Sequence, residues 1–164
     1  MEELGQLGRA VRPVGGEHLH LTLRFLGEVP VDLLASIAEA MSLATADVPG
    51  FELQLSSLGV FPSAHRPHSV WVGVAANPAL ADIVGRLGER LLQLNIPVDD
   101  RPWTGHITLA RVKAKPPPAL SELLASHRET LFGSVPVDAV HLMLSELRPE
   151  GPRYTVADAV KLTK

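Results

Sequence analysis

The chain has 164 residues, 46% of them hydrophobic, and a formal net charge of −3. That length supports one domain with a sizeable core. The lack of cysteine excludes disulfides and thiolate metal sites, and the slight acidity argues against a grip on long nucleic acid through many phosphates. The opening MEELGQLGRAV shows no basic region followed by an apolar run, so it does not read as a signal peptide. No apolar stretch is long enough to span a bilayer. These features fit a cytoplasmic protein.

In chain order, residues 2–11 place Leu4, Leu7 and Val11 at helical spacing, with Gly5 and Gly8 weakening the helix. Pro13 and Gly15-Gly16 end it. Residues 17–26 alternate and predict a strand that closes at Gly27 and Pro30. Residues 31–46 carry Leu33, Leu34, Ile37, Ala38 and Met41 on one helical face. Residues 51–56 alternate as a strand, and 59–67 read as a loop. Residues 69–75 predict a strand buried on both faces. Asn77 caps a helix with Pro78 in its first turn, running to about Leu94. After a loop over 99–105, a strand covers 106–112. The Lys115 to Pro118 stretch is a stiff loop. A helix follows over 118–127, with Ser121 as a local cap. One or two strands lie in 133–148, a turn at 150–152, and a last strand over 153–162 completes a hairpin. Hairpins and segregated helices argue for an α+β fold with mixed or antiparallel sheets.

Two stretches stand out. His20-Leu21-Thr22-Leu23 returns as His106-Ile107-Thr108-Leu109. On a strand, residues two apart share a face. Each copy thus presents an imidazole beside a hydroxyl, with Leu21, Leu23, Phe25, Ile107 and Leu109 facing away. A pair of imidazoles suits acid–base chemistry, because one accepts a proton while the other donates one.

With their flanks, HLHLTLRFLGEV, LGVFPSAHRPHSVWVGV and GHITLARV, these motifs resemble the two-histidine phosphoesterase superfamily. Within it, they are similar to the RNA 2′,3′-cyclic phosphodiesterases, also called 2′-5′ RNA ligases. The likeness is clearest from Glu17 to Val112. It implies a single domain over 1–164 with two pseudo-symmetric lobes, each giving one His-x-Thr-x motif to a central cleft. It also implies metal-independent opening of a 2′,3′-cyclic phosphate to a 2′-phosphate, with the reverse 2′-5′ ligation available and no cofactor. By that resemblance His106 is the proton acceptor and His20 the proton donor, while Thr22 and Thr108 bind the phosphate oxygens. The implied partners are RNA ends with a 2′,3′-cyclic phosphate, tRNA fragments among them, or small cyclic nucleotides, bound by a monomer. Family members carry an opening strand and a full helix before the first motif. Residues 2–11 are expected to be the tail of that helix, with the strand absent and backbone groups at a sheet edge left unpaired.

Further candidates around the phosphate are weaker. Arg24 falls on the histidine face by alternation. Arg111 follows the second motif, yet alternation points it away from His106. Phe61 either stacks on a base or anchors its loop in the core. Arg66 and Trp103 border the cleft or, for Trp103, pack inside. His18 shares the face of His20, and His65, His68, His127 and His141 form no ligand spacing. Other readings stay open. One is a non-catalytic module that binds RNA ends, or an enzyme for another cyclic phosphate. Another is a zinc site from His18, His20 and a distant carboxylate, which leaves the second motif unexplained.

Overall fold

Glycine cuts the N-terminal helix short in the computed structural model, which describes residues 2–99, 101–148 and 151–164. The first helix, α1, covers only Glu2–Gly5. Gly8 takes a φ of +75°, which an L side chain rarely adopts. A 3-10 turn over Gly8–Ala10 then leads into a short strand, β1, Val11–Pro13.

The first motif is not a strand. After a 3-10 turn at Gly16–His18, its single ladder contact is an antiparallel bridge from Leu21 to Ile107. Alternation gives residues 19–25 two faces, but a strand also needs neighbours along its length, and beyond Leu21 none pairs with it among the described residues. Phe25, expected on the apolar face, is 82% exposed.

Downstream the periodicity holds better. Helix α2, Leu34–Ala44, follows a 3-10 turn at Val31–Leu33. Helix α3 spans Pro78–Gln93, and Asn77 caps it by accepting the Leu80 N–H at 3.0 Å. Strand β2, Phe51–Phe61, runs past its expected end. Ser57 sits in a bulge with φ +62° and donates its N–H to the Thr130 carbonyl. Residues 58–61 then rejoin the ladder with β3, Ser69–Val74. Strand β4 covers His106–Val112. Helix α4, Pro118–Ser126, has Pro117 at its cap; Ser121 lies inside the helix and caps nothing. Strands β5, Leu131–Val137, and β6, Ala139–Arg148, follow, and β6 forms an antiparallel hairpin with β7, Gly151–Lys161. Of the turn expected over 150–152, Gly151 and Pro152 instead pair in the hairpin, opposite Arg148 and Leu147, and Glu150 lies outside the described residues.

A five-stranded sheet has the order β1-β4-β3-β2-β5, and its ladders between β1, β4, β3 and β2 are antiparallel. The α+β expectation therefore stands. The chain divides into two compact units. The first comprises Met1–Leu23, Leu53–Ala75 and Pro102–Val135; the second comprises Arg24–Glu52, Ala76–Arg101 and Pro136–Lys164. Leu4, Val11, Val70, Ala110 and Leu120 form a core cluster in the first. In the second, α2 and α3 pack together and bury Ile37, Met41, Ile83, Leu87 and Leu91. Both motifs lie in the first unit, where the Leu21–Ile107 bridge brings them side by side. No helix among the described residues is long and apolar enough to cross a membrane.

Candidate active site

Strand β4 lies between β1 and β3, so its inner residues are paired on both sides. That holds His106 and Thr108 on a rigid element, where His106 faces Gly73 and Thr108 faces Trp71 of β3. The first motif runs antiparallel beside them through the Leu21–Ile107 bridge. Carried one residue either way, this register sets His20 across from Thr108 and Thr22 across from His106. Residues directly opposite in such a pair share a face, and diagonal neighbours stand roughly 7–8 Å apart. The two imidazoles are one such diagonal, and the two hydroxyls are the other.

Both histidines are oriented by the same local device. His20 Nδ1 lies 2.7 Å from the His18 carbonyl, and His106 Nδ1 lies 2.8 Å from the Thr104 carbonyl. A carbonyl oxygen only accepts, so Nδ1 carries the hydrogen in each ring. The proton that comes and goes then belongs to Nε2, on the far side of the ring. His20 and Thr22 are exposed, while His106 and Thr108 are half-buried.

An aromatic group backs the second histidine. Phe61 meets the His106 ring edge-on, with centroids 4.9 Å apart, and lies 5.2 Å from Trp71. Trp71 is 6.2 Å from His106, and its ring covers Gly59, where an added Cβ would come within 2.2 Å. Phe61 is thus packed against the Trp71 and His106 rings. Trp71 Nε1 is buried with no acceptor among the described residues.

Trp103 has more to do than packing. Its indole N–H donates to the Thr22 carbonyl at 3.1 Å, tying the first motif to the lead-in of the second. Its ring closes over Gly105, where a Cβ would sit 2.8 Å from the ring and 3.1 Å from the Val74 Cβ. The Trp-x-Gly-His spacing is visible in the sequence, but the partner carbonyl is 81 residues away. Just upstream, Arg101 binds the Asp99 carboxylate through side chain and backbone N–H, and these bonds hold that carboxyl down to about 2.

Arg111 is on the histidine face after all. The β3–β4 register jumps between Val70 and Trp71, leaving Leu109 as an extra residue in β4. Such a bulge resets alternation. Leu109 and Ala110 both turn to the core beside Val70, and Arg111, opposite Ser69, returns to the side of Thr108 and His106. Arg24 goes elsewhere. It belongs to the second unit, where Nη2 donates to the Val84 carbonyl at 3.0 Å and its guanidinium lies over Gly88 of α3. It anchors a helix. Arg66 is exposed, its backbone N–H bound to the Ser63 carbonyl. His18 lies 3.4 Å from a Glu17 carboxylate oxygen. Among the described residues, no group of three or more histidine and acidic side chains is placed to hold a metal ion.

Fold and site together define a class: an antiparallel sheet whose strand β4 carries one His-x-Thr element, with a second bridged antiparallel beside it. The chain belongs to the 2′-5′ RNA ligase superfamily, whose sequence model matches residues 8–148. It is 38% identical over 164 residues to a Thermus thermophilus protein named RNA 2′,3′-cyclic phosphodiesterase, covering 94% of this chain and 77% of that one. A protein of the same name from Aeropyrum pernix is 35% identical over 162 residues, covering 98% and 91%. Among solved structures, TT0787 of Thermus thermophilus superposes with a TM-score of 0.84 at 31% identity, over 98% of this chain and 86% of that one. E. coli LigT complexed with 3′-AMP matches with a TM-score of 0.74 at 29% identity, over 94% and 83%.

Proposed function

We propose that this chain hydrolyses 2′,3′-cyclic phosphates at RNA ends or on small nucleotides, leaving a 2′-phosphate. One observation carries the reading: two His-x-Thr elements lie antiparallel, each imidazole held by the carbonyl two residues before it. The names of its relatives favour the same substrate class.

The chemistry follows from the diagonal. Water attacks phosphorus from the side of His106, whose neutral Nε2 takes the water proton. The bond from phosphorus to the 3′ oxygen breaks on the opposite side, where His20 Nε2–H supplies a proton to the departing oxygen. Proximity and in-line alignment lower the barrier without a covalent intermediate. Thr22 and Thr108 donate hydroxyl hydrogen bonds to the non-bridging oxygens, where charge builds up. Arg111 adds positive charge on the same face. With a 5′-hydroxyl in place of water as the nucleophile, the same step joins RNA ends through a 2′-5′ bond: His106 takes the hydroxyl proton and His20 again protonates the departing 3′ oxygen. In this reading residues 1–164 act as one phosphoesterase domain, and the pseudo-twofold relation is local, centred between Leu21 and Ile107.

His20→Ala and His106→Ala should each lower turnover of a 2′,3′-cyclic nucleotide by about 10²–10⁴. Because one imidazole must be neutral and the other charged, kcat/KM should trace a bell against pH. A folded variant lacking either imidazole, yet turning over at the normal rate, would refute the mechanism.

A further inference from the structure

We infer that Arg12 and Lys113, with Arg9 beside them, form a second anion subsite that holds the phosphodiester backbone of single-stranded RNA leading away from the reacting end. The inference rests on the reading of the site as one for cyclic phosphate ends, and extends it to the length of the substrate.

Arg12 of β1 stands directly opposite Arg111 of β4. One step on, the Lys113 N–H donates to the Ala10 carbonyl, so the ladder continues and Lys113 is the diagonal neighbour of Arg12. Val11 and its partner Val112, the residues between, face the core. Arg12, Arg111 and Lys113 therefore share the other face, and the bulge at Leu109 makes it the face of His106 and Thr108. All three are exposed. Among the described residues, none of the three, nor Arg9, is within ion-pair distance of a carboxylate.

This is an unfavourable way to place charge. Like charges directly opposite on paired strands destabilise a sheet, and the chain has 18 acidic residues against 15 basic ones with which to neutralise them. The free side of β1 adds a shallow groove of about 680 Å³, whose lining of Gly5, Gly8, Val11 and Pro13 is flanked by Arg9, Arg12 and Lys113. Positive charge thus runs from the phosphate-binding face to an open groove at the sheet edge. A mononucleotide has nothing to put there; the next phosphates of a strand do.

The test compares wild type with Arg12→Gln/Lys113→Gln, and with Lys161→Gln as a control for global charge. Binding of a fluorescent, uncleavable oligoribonucleotide with a 3′-hydroxyl end is followed against salt. Each lost phosphate contact removes about 0.7 from the slope of log affinity against log salt, so the double variant should lose about 1.4. Its ratio of kcat/KM for an oligonucleotide over a cyclic mononucleotide should fall by about tenfold, with thermal stability unchanged or raised. An unaltered slope and ratio, or an equal effect from Lys161→Gln, would overturn the subsite. Absence of mononucleotide turnover in wild type would instead count against the proposed function, leaving the binding measurement to judge the subsite.

Discussion

Replacing Trp103 with Phe removes one hydrogen bond and keeps most of an aromatic ring. The lost bond runs from the indole N–H to the Thr22 carbonyl at 3.1 Å. Besides it, the Leu21–Ile107 bridge is the one ladder contact holding the first motif among the described residues. A neutral hydrogen bond is worth about 0.5–1.5 kcal/mol net, and the Thr22 carbonyl lies near the surface where water can replace the indole. We expect a loss near 1 kcal/mol, which is about 2–4 °C in Tm for a chain of this size. Catalysis should suffer more. Misplacing a reacting group by about 1 Å can cost about 10²-fold, and a segment freed at Thr22 carries both His20 and the Thr22 hydroxyl. The assay is steady-state hydrolysis of a 2′,3′-cyclic nucleotide beside thermal unfolding. A drop in kcat of about 10–100-fold with a small Tm shift supports the bracing role. A lowered Tm with unchanged kcat would show that Trp103 is only packing.

Gly105→Ala should act through the same brace from the other side. Its Cβ would sit 2.8 Å from the Trp103 ring, so overpacking of about 1–3 kcal/mol should appear in denaturant unfolding together with a fall in kcat. Arg111→Gln tests the reach of that charge. Losing a charge-assisted bond to phosphate of about 1.5–3 kcal/mol should cut kcat/KM for a cyclic mononucleotide by about 10–150-fold; no change would show that Arg111, though on the histidine face, does not reach the phosphate.

Much of the fold is legible in the sequence where a segment's neighbours match its pattern. β4 is paired on both sides and matches its expected bounds, His106 to Val112, with alternation kept from His106 to Thr108. The Asn77-Pro78 start of α3 is legible because capping is local. The first motif alternates equally well, but it lacks a continuous partner and stays extended around one bridge. Arg111 and Arg24 were misdirected for one reason: alternation assumes an unbroken ladder. A bulge at Leu109 returns Arg111 to the site, while the chain leaves the ladder after Leu21 and Arg24 settles on Val84 and Gly88 of α3. The roles of Trp103 and of the Arg12–Arg111 pair depend on contacts distant in sequence, which no local pattern encodes.

The most direct test of the account is hydrolysis of a 2′,3′-cyclic nucleotide in excess chelator, with the product isomer identified. Water activated by His106 and a 3′ oxygen protonated by His20 predict turnover that chelator does not reduce and a 2′-phosphate as product. A 3′-phosphate would contradict the assigned leaving oxygen, and loss of activity on chelation would contradict the two-histidine mechanism itself.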